Sequence, residues 1–305
     1  MSLSEDVRNE LAAIAPDREC DRRAELSALF HSAGSWHVHG GHVSLQLDVA
    51  SSAVARRAFS LLRELGVASE IRTYRTRSFE RAMRYQLHVA VEGPARRALV
   101  DAGVLDRRLR PIARPPKRVV GRPCCRGAYL RGALLAAGSV SPPPAAHLEL
   151  RTETREAADF LAVVAAGEDV PLRVLDRRDH ALAYAKGIDV IAGALAAAGA
   201  NDAALALQER AVVGETKARA NRLTNADEAN LVRTSLAAHA QLEAVRRIAR
   251  ERRLGELAPG LREVAELRLR NPSLPLRELA LKCRPAASKA SVHRRLQKLI
   301  RLADT

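Results

Sequence analysis

The C-terminal segment of the chain carries the residue types that bind a polyanion. Between Lys282 and Arg301 the sequence has seven Lys and Arg residues and no acidic residue. Lys and Arg side chains bind phosphates, and Arg and His side chains also hydrogen-bond to base edges in the major groove of DNA. The side chains that we expect to contact DNA are Ser288, Lys289, Ser291, His293, Arg294, Arg295 and Lys298. The alternative is a solvated basic helix on a small bundle.

The charge of the whole chain also indicates a polyanionic partner. The 305 residues carry a formal net charge of +15. Residues 221–305 hold 18 basic residues against 9 acidic ones, so most of the excess lies in this last third. A chain this basic most often binds nucleic acid. We therefore expect double-stranded DNA as the partner.

The helices that would position these basic residues follow the order of a helix-turn-helix. Apolar periodicity predicts helices over 263–270, 276–281 and 288–302, the last with Ser288 as its N-cap. The apolar face of the last helix would consist of Val292, Leu296 and Leu299. A short helix, a turn and a longer basic helix are the arrangement that places a recognition helix in the major groove.

A second pattern is a segment that occurs twice. Residues 20–36 and 124–140 are identical at seven of seventeen positions, at an offset of 104 residues. Small residues recur at every fourth position, which places them on one helix face. They are Ala24, Ala28 and Ser32 in one copy and Ala128, Gly132 and Ala136 in the other. We expect two central helices that pack backbone to backbone, each ending in Ala-Gly-Ser with a glycine that suits a C-cap.

The segments after each copy also correspond. Alternating or short apolar runs predict strands at 42–49, 67–77 and 84–91 in the first half, and at 146–151, 170–175 and 180–186 in the second. Helical patterns lie between and after them, the clearest at 51–66, 154–165 and 188–198. The chain is therefore an internal duplication of a helix–strand–helix–strand unit.

The duplicated motifs resemble LAGLIDADG homing endonucleases, in which two such helices pack beneath paired β-saddles. The full arrangement resembles the WhiA family of sporulation and cell-division regulators. The stretches that carry this resemblance are RGALLAAGSVS (131–141), ANRLTNADEANLVRT (220–234), LREVAELRLRNPSLPLRELA (261–280) and SKASVHRRLQKL (288–299). The resemblance implies an α+β fold, a duplicated LAGLIDADG-like saddle domain followed by an all-α helix-turn-helix domain.

This resemblance implies a domain plan. The parts are an N-terminal helix (1–18), a first repeat (19–108), a linker (109–123), a second repeat (124–210), a hinge (211–219) and the helix-turn-helix domain (220–305). It also implies a sequence-specific, cytoplasmic and nucleoid-associated transcription regulator of sporulation septation, cell division or chromosome segregation. Its partner would be double-stranded DNA at promoter sites, and a further partner such as another transcription factor or RNA polymerase is left open. The family often reads Ser-Lys-Ser-Gly-Val-Asn-His-Arg-Leu at the recognition helix, and this chain differs at positions 290, 291, 293 and 294.

The same resemblance raises the question of catalysis. Homing endonucleases hold divalent metals with an acid at the end of each central helix. Here the two positions are Ala33 and Ala137, which offer no ligand oxygen. We therefore expect no enzyme activity and no catalytic residue. The alternatives are a residually active endonuclease or RNA maturase, and an interaction module that binds DNA without sequence preference.

The remaining candidate residues are arginines, histidines and cysteines. Five arginines around a predicted hairpin could contact the DNA backbone from the saddle, or form an ordinary solvated edge: Arg72, Arg75, Arg77, Arg81 and Arg84. His37 and His39 would share one face of an extended segment, for which a polar hairpin is favoured over a metal site. No pair among Cys20, Cys124, Cys125 and Cys283 has CxxC spacing, so we expect reduced thiols, no metal and no cofactor. No apolar run reaches membrane-spanning length.

Overall fold

A computed structural model describes residues 2–76 and 82–304 of the chain. Its tertiary contacts divide the chain into two units, Met1–Glu215 and Thr216–Thr305, each with its own hydrophobic core. Both copies of the repeated segment therefore lie in the first unit, and the basic C-terminal segment lies in the second.

The first half of the first unit contains an antiparallel sheet beside a central helix. Its elements are α1 (Leu3–Ala13), α2 (Glu19–Ala33), β1 (Gly34–His39), β2 (His42–Val49), α3 (Ser52–Glu64), β3 (Glu70–Arg75), β4 (Met83–Ala90) and α4 (Gly93–Asp101). The strands are hydrogen-bonded in the order β1-β2-β4-β3. Alternation along β2 buries Leu45, Leu47 and Val49 against the helices and leaves the opposite face open.

The second half repeats this plan. Its elements are α5 (Lys117–Val120), α6 (Pro123–Ala137), β5 (Gly138–Ser141), β6 (His147–Thr152), α7 (Arg155–Ala166), β7 (Arg173–Asp176), β8 (Ala181–Lys186) and α8 (Ile188–Ala198). The strand order is β5-β6-β8-β7, and all neighbours are antiparallel. The matching topologies confirm the duplicated α+β fold. The structure adds one strand to each predicted half, because β1 and β5 follow the central helices directly.

The central helices α2 and α6 pack against each other at the predicted small residues. A Cβ atom on Gly132 would lie 2.4 Å from the backbone oxygen of Glu25 and 2.8 Å from the Cβ of Ala28. Only glycine allows this separation, because real Cβ contacts are not shorter than about 3 Å. The pattern of small residues therefore reports a real approach between the two helix backbones.

The glycines that end the central helices have a different role from the one expected. Gly34 and Gly138 occupy the C-caps, but their backbones are extended, with φ of −87° and −79°, instead of left-handed. A Cβ at Gly34 would lie 2.4 Å from the carbonyl oxygen of Phe30, and one at Gly138 would lie 2.5 Å from that of Leu134. Glycine is needed because the chain turns from helix into strand close to the carbonyl oxygen of the residue four positions earlier.

A buried ion-pair cluster joins the two halves. Glu25 in α2 is fully buried and accepts hydrogen bonds from Arg57 Nε (2.7 Å) and Arg57 Nη2 (3.0 Å) of α3. It also accepts one from Arg131 Nε of α6, at 2.9 Å. Arg131 in turn donates to the carbonyl oxygen of Ala198, at 3.1 Å. A buried carboxylate with two arginine partners is satisfied, and loss of either partner would leave an uncompensated charge.

The second unit is helical. Its elements are the C-terminal part of α9 (Asn201–Arg250), a 3-10 turn (Arg253–Glu256), α10 (Pro259–Arg270), α11 (Leu276–Leu281) and α12 (Lys289–Ala303). The predicted helix-turn-helix order is confirmed, and Val292, Leu296 and Leu299 are fully buried, as expected. The segment 211–219, for which a hinge was expected, is helical within α9. No described helix is long and apolar enough to span a bilayer.

Candidate nucleic-acid interface

The outward face of α12 is basic. Its apolar residues pack into the core of the second unit, and the periodicity of the helix turns the intervening residues outward. The exposed predicted contacts are Ser288, Lys289, His293, Arg294 and Lys298. Arg294 lies almost opposite Val292 and Leu296 around the helix, so it is near the middle of this face. Such a face can place Arg and His at base edges and Lys at phosphates.

Ser288 and Ser291 already have a structural role at the start of α12. The backbone N–H of Ser291 donates to Ser288 Oγ at 3.1 Å, which is the predicted N-cap. Ser291 itself is half-buried. The cap fixes the first turn of the helix, and with it the direction in which Lys289 and His293 project.

Arg295 does not share the outward face with Arg294. Only 34% of its side chain is exposed, and its Nη1 lies 3.9 Å from Glu263 Oε2 of α10. Its guanidinium also covers Gly260, where a Cβ atom would lie 3.3 Å from Arg295 Cζ. The geometry places this arginine on the flank of the helix, against α10.

Glu263 and Arg268 hold the helix-turn-helix together, although neither was among the residues expected at the site. Glu263 Oε1 accepts a hydrogen bond from the backbone N–H of Arg284 at 2.6 Å, in the turn between α11 and α12. Arg268 is fully buried and donates to the carbonyl oxygen of Leu274 (2.7 Å) and to Gln241 Oε1 (2.9 Å). Burial lowers the pKa of this guanidinium. The sequence could have predicted that Arg268 is buried, because it continues the helical spacing of the apolar residues Leu261, Val264 and Ala265.

The open face of the first sheet is polar, and its charges are largely paired. In β4 and β3 the register places Arg84 opposite Tyr74 and Gln86 opposite Arg72, all on the face away from the core. Arg84 Nε donates to Asp48 Oδ1 at 2.6 Å, and the Tyr74 hydroxyl donates to the other oxygen of the same carboxylate. Arg72 Nη2 donates to Glu70 Oε2 at 3.0 Å.

The five saddle arginines are therefore not one group. Arg72 and Arg84 lie on the open face, and Arg75 lies on the opposite side of the pleat, in register with Met83. Arg77 and Arg81 lie outside the described residues. Backbone contacts from this sheet stay a prediction.

The histidine-rich segment forms the predicted polar hairpin. Gly40 and Gly41 have positive φ angles of 55° and 81°, as a tight turn between β1 and β2 requires. His37 Nε2 is 3.0 Å from Ser35 Oγ, and His42 Nδ1 is 3.1 Å from Glu92 Oε1. Within the described chain, no cluster of three potential metal ligands includes these histidines.

A cavity with three arginines lies at the C-terminal end of one central helix, α6. Ala33 and Ala137 are the last residues of α2 and α6. A cavity of about 360 Å³ lies beside Ala137, and its ionisable lining residues are Arg8, Arg84, Arg151, His180 and Glu149. Arg84 is paired with Asp48, and Arg151 Nη2 lies 4.0 Å from Asp179 Oδ2, so most of the positive charge at this cavity is already balanced by carboxylates.

Comparison with known proteins gives the same division of the chain. Residues 19–105 match the model of the WhiA N-terminal LAGLIDADG-like domain, and residues 126–217 match that of the WhiA LAGLIDADG-like domain. Residues 220–303 match the WhiA C-terminal HTH domain.

Similar full-length proteins carry the same name. The chain is 34% identical over 310 residues to the "Probable cell division protein WhiA" of Symbiobacterium thermophilum, covering 100% of this chain and 98% of the relative. It is 34% identical over 307 residues to the protein of that name from Heliobacterium modesticaldum, covering 100% and 96%. The solved structure of full-length WhiA from Thermatoga maritima has a TM-score of 0.59 at 21% identity and covers 100% of this chain and 98% of that one. This last likeness concerns the fold.

Proposed function

The chain belongs to the WhiA family, and on that premise we propose that it is a transcription regulator that reads specific DNA sites without cutting them. The observation that carries this proposal is the outward face of α12. It presents Lys289, His293, Arg294 and Lys298 over an apolar core, in a stretch without acidic residues. A solvated helix would not need a face of one charge sign, which costs self-repulsion unless an anion binds there.

Some of the exposed residues of α12 would contact bases and others would contact phosphates. Arg294 lies near the middle of the exposed face and His293 is exposed at its side, and Lys289 and Lys298 lie about one turn before and after this pair. We assign base edges to the first pair and phosphates to the second. Glu263 and Arg268 act indirectly, since they fix the turn and the neighbouring helices against which α12 packs.

The proposal includes the loss of phosphodiester cleavage. Alanine at positions 33 and 137 removes the carboxylates that hard divalent cations need. Asp48, the first acid after the end of α2 in the sequence, already accepts hydrogen bonds from Arg84 and Tyr74. Glu149, the first acid after the end of α6 in the sequence, shares the cavity beside Ala137 with the cations Arg8, Arg84 and Arg151 and with no second carboxylate.

The biological role follows from relatives at the level of a proposal. The relatives are named cell division proteins, so we propose that the genes under control concern cell division, septation during sporulation or chromosome segregation. The saddle would position DNA through Arg72, Arg84 and Arg151, or would dock a protein partner such as RNA polymerase. It acts where the DNA is, at the nucleoid in the cytoplasm.

The test is the distribution of the protein on DNA. Genome-wide immunoprecipitation followed by footprinting at physiological salt should give discrete sites for the full-length protein. The Arg294→Ala variant should lose them, whereas the control Arg270→Ala, also exposed but on α10, should keep them. Uniform protection of all DNA would contradict sequence reading.

Cleavage is tested separately. Incubation of plasmid DNA with the full-length protein and Mg²⁺ should leave the plasmid supercoiled. Reproducible nicking that co-purifies with the protein, and that is weakened by substitution of Glu149, would overturn the non-catalytic assignment.

A further inference from the structure

Three of the four cysteines come together where the central helices begin. Cys20 is the second residue of α2, and Cys124 and Cys125 are the second and third residues of α6. With Asp21 they form a group in which one ligand atom per residue lies within 4.8 Å of all the others. Among residues 2–76 and 82–304 this is the one such group of three or more His, Cys, Asp or Glu residues.

The atomic separations match the edges of a small tetrahedron. Four-coordinate zinc has Zn–S distances of about 2.3 Å and Zn–O distances of about 2.0–2.2 Å, which gives S···S edges of about 3.8 Å and S···O edges of about 3.5 Å. Cys124 Sγ and Cys125 Sγ are 3.8 Å apart. Cys20 Sγ and Asp21 Oδ1 are 3.4 Å apart. These two pairs are at tetrahedral edge lengths, and every other pair of ligand atoms lies within 4.8 Å, so small side-chain movements would place all four atoms around one ion.

The chemistry of the donors selects the ion. Three sulfur donors and one carboxylate suit zinc, whereas magnesium and calcium require an all-oxygen shell. We propose that Cys20, Asp21, Cys124 and Cys125 bind one zinc ion that fastens the first half of the saddle to the second. This proposal is independent of the DNA-reading function.

The surroundings fit a structural ion. Cys125 is only 1% exposed and the other three residues are half-buried, so the site is shielded on one side. On the other side Asp21 and Cys124 line a cavity of about 400 Å³, which offers an entry path. Arg18 lies beside Cys124, and its positive charge would offset part of the negative charge of the ligands. The site lies at the helix N-termini, opposite the ends at which a homing endonuclease would hold its metals.

The principal measurement uses the unaltered full-length protein. After purification under reducing conditions with zinc, elemental analysis should find one zinc per chain. Replacement of zinc by Co²⁺ should give sulfur-to-cobalt charge transfer and the intense visible bands of a tetrahedral site. Chelation of the metal should lower the melting temperature, because an ion that binds only the folded state stabilises it.

Variants assign the ligands. Cys20→Ser, Cys125→Ser and Asp21→Asn should each weaken zinc binding by more than about 100-fold, since loss of even a supporting residue costs about 10–100-fold. The matched control is Cys283→Ala, because Cys283 is equally buried but belongs to the second unit. This control should keep one zinc per chain.

Two results would overturn the proposal. One is substoichiometric zinc in protein whose four thiols are all reduced, together with an octahedral Co²⁺ spectrum. The other is a disulfide from Cys20 to Cys124 or Cys125 that forms in the purified protein and persists in excess zinc, seen as a loss of two hydrogen atoms by mass spectrometry. Both are measured on the unaltered chain, so a variant that fails to fold does not leave the question open.

Discussion

Arg294 and Arg295 are adjacent in sequence but face different surroundings. Sequence reasoning selected both, because residue type and charge are the same and a one-residue error in helix phase exchanges them. The structure separates them by burial, with Arg294 outward and Arg295 beside Glu263. Contact with a base depends on the direction in which the side chain projects from the helix. The apolar pattern of the sequence predicts that direction only to within the width of a helix face.

Substitution of these two arginines should have unequal effects on specificity. Arg294→Ala should cost about 1–3 kcal/mol of binding free energy and relax sequence preference. Arg295→Ala should weaken DNA binding with little change in sequence preference, because it disturbs the packing of α12 against α10. Binding of cognate and scrambled duplexes, measured side by side, separates the two. The assignment is wrong if the loss of preference follows Arg295 instead.

His31 gives the first unit a dependence on pH. Its Nε2–H donates to the carbonyl oxygen of Ile112 at 3.0 Å, and Nδ1 accepts from Ser27 at 3.3 Å. Desolvation by burial lowers the pKa of His31 to about 4, and hydrogen bonds that the protonated ring donates to the backbone oxygens of Ile112 and Ser27 oppose this shift by raising the pKa. The unfolded chain, with an ordinary histidine pKa near 6.5, therefore binds more protons than the folded one between these values.

The free energy of unfolding should consequently fall as the pH drops from about 6.5 to about 4. The contribution of His31 to this fall should be roughly 1–3 kcal/mol. Thermal denaturation of the parent and of His31→Gln across this range measures it as a difference in slope. The exposed His37→Gln serves as the control and should follow the parent. Parallel curves for all three proteins would rule out this role.

At the scale of elements, sequence patterns located those with strong periodicity. The strand 42–49 and the helix 276–281 were predicted with the bounds that the structure shows. The elements β1 and α4 were missed. β1 is almost entirely exposed and has no buried face to give alternation, and α4 is short with only Ala95 and Leu99 buried. Elements that bury little leave little pattern to read.

Close packing of α2 and α6 makes a strong prediction at Gly132. Gly132→Ala should destabilise the protein by about 1–3 kcal/mol or more, because the new methyl group would overlap the Glu25 carbonyl oxygen and force the helices apart. Denaturant unfolding measures the change. The matched control is Gly193→Ala in α8, where the nearest atom to a new Cβ is 3.8 Å away.

The control should have the opposite sign. With space available, exchange of a helical glycine for alanine stabilises a helix by up to about 1 kcal/mol. Equal stabilities for the two variants would mean that α2 and α6 are not in backbone contact in solution.

At the scale of the whole molecule, the family and the division into saddle and helix-turn-helix could be predicted, because long motifs and net charge are properties of the sequence itself. The cysteine cluster could not. Cys20 and Cys124 are 104 residues apart, and a spacing rule such as CxxC detects only ligands that are close together along the chain. The repeat places Cys20 and Cys124 at equivalent positions, and packing of the paired helices then brings them together.

Charge predicts how the complete protein responds to salt. Affinity for DNA should fall steeply with salt, and the slope of log K against log salt should decrease by about 0.9 for each phosphate contact removed. Lys298→Ala should therefore reduce the slope by about one unit, with sequence preference unchanged. Titrations of full-length protein at several salt concentrations provide the slope. An unchanged slope would remove Lys298 from the phosphate contacts.

The carboxylate of Glu25 has an evolutionary consequence. At the offset of the repeat, its counterpart in the second copy is Tyr129, and the counterpart of Arg131 is Ser27. Two first copies paired with each other would bury two carboxylates and lack both Arg131 partners, and two second copies would bury Arg131 without its acid. The ion pair is complete only where one first copy contacts one second copy. The pair between Glu25 and Arg131 therefore favours contact between unlike copies over contact between two identical ones.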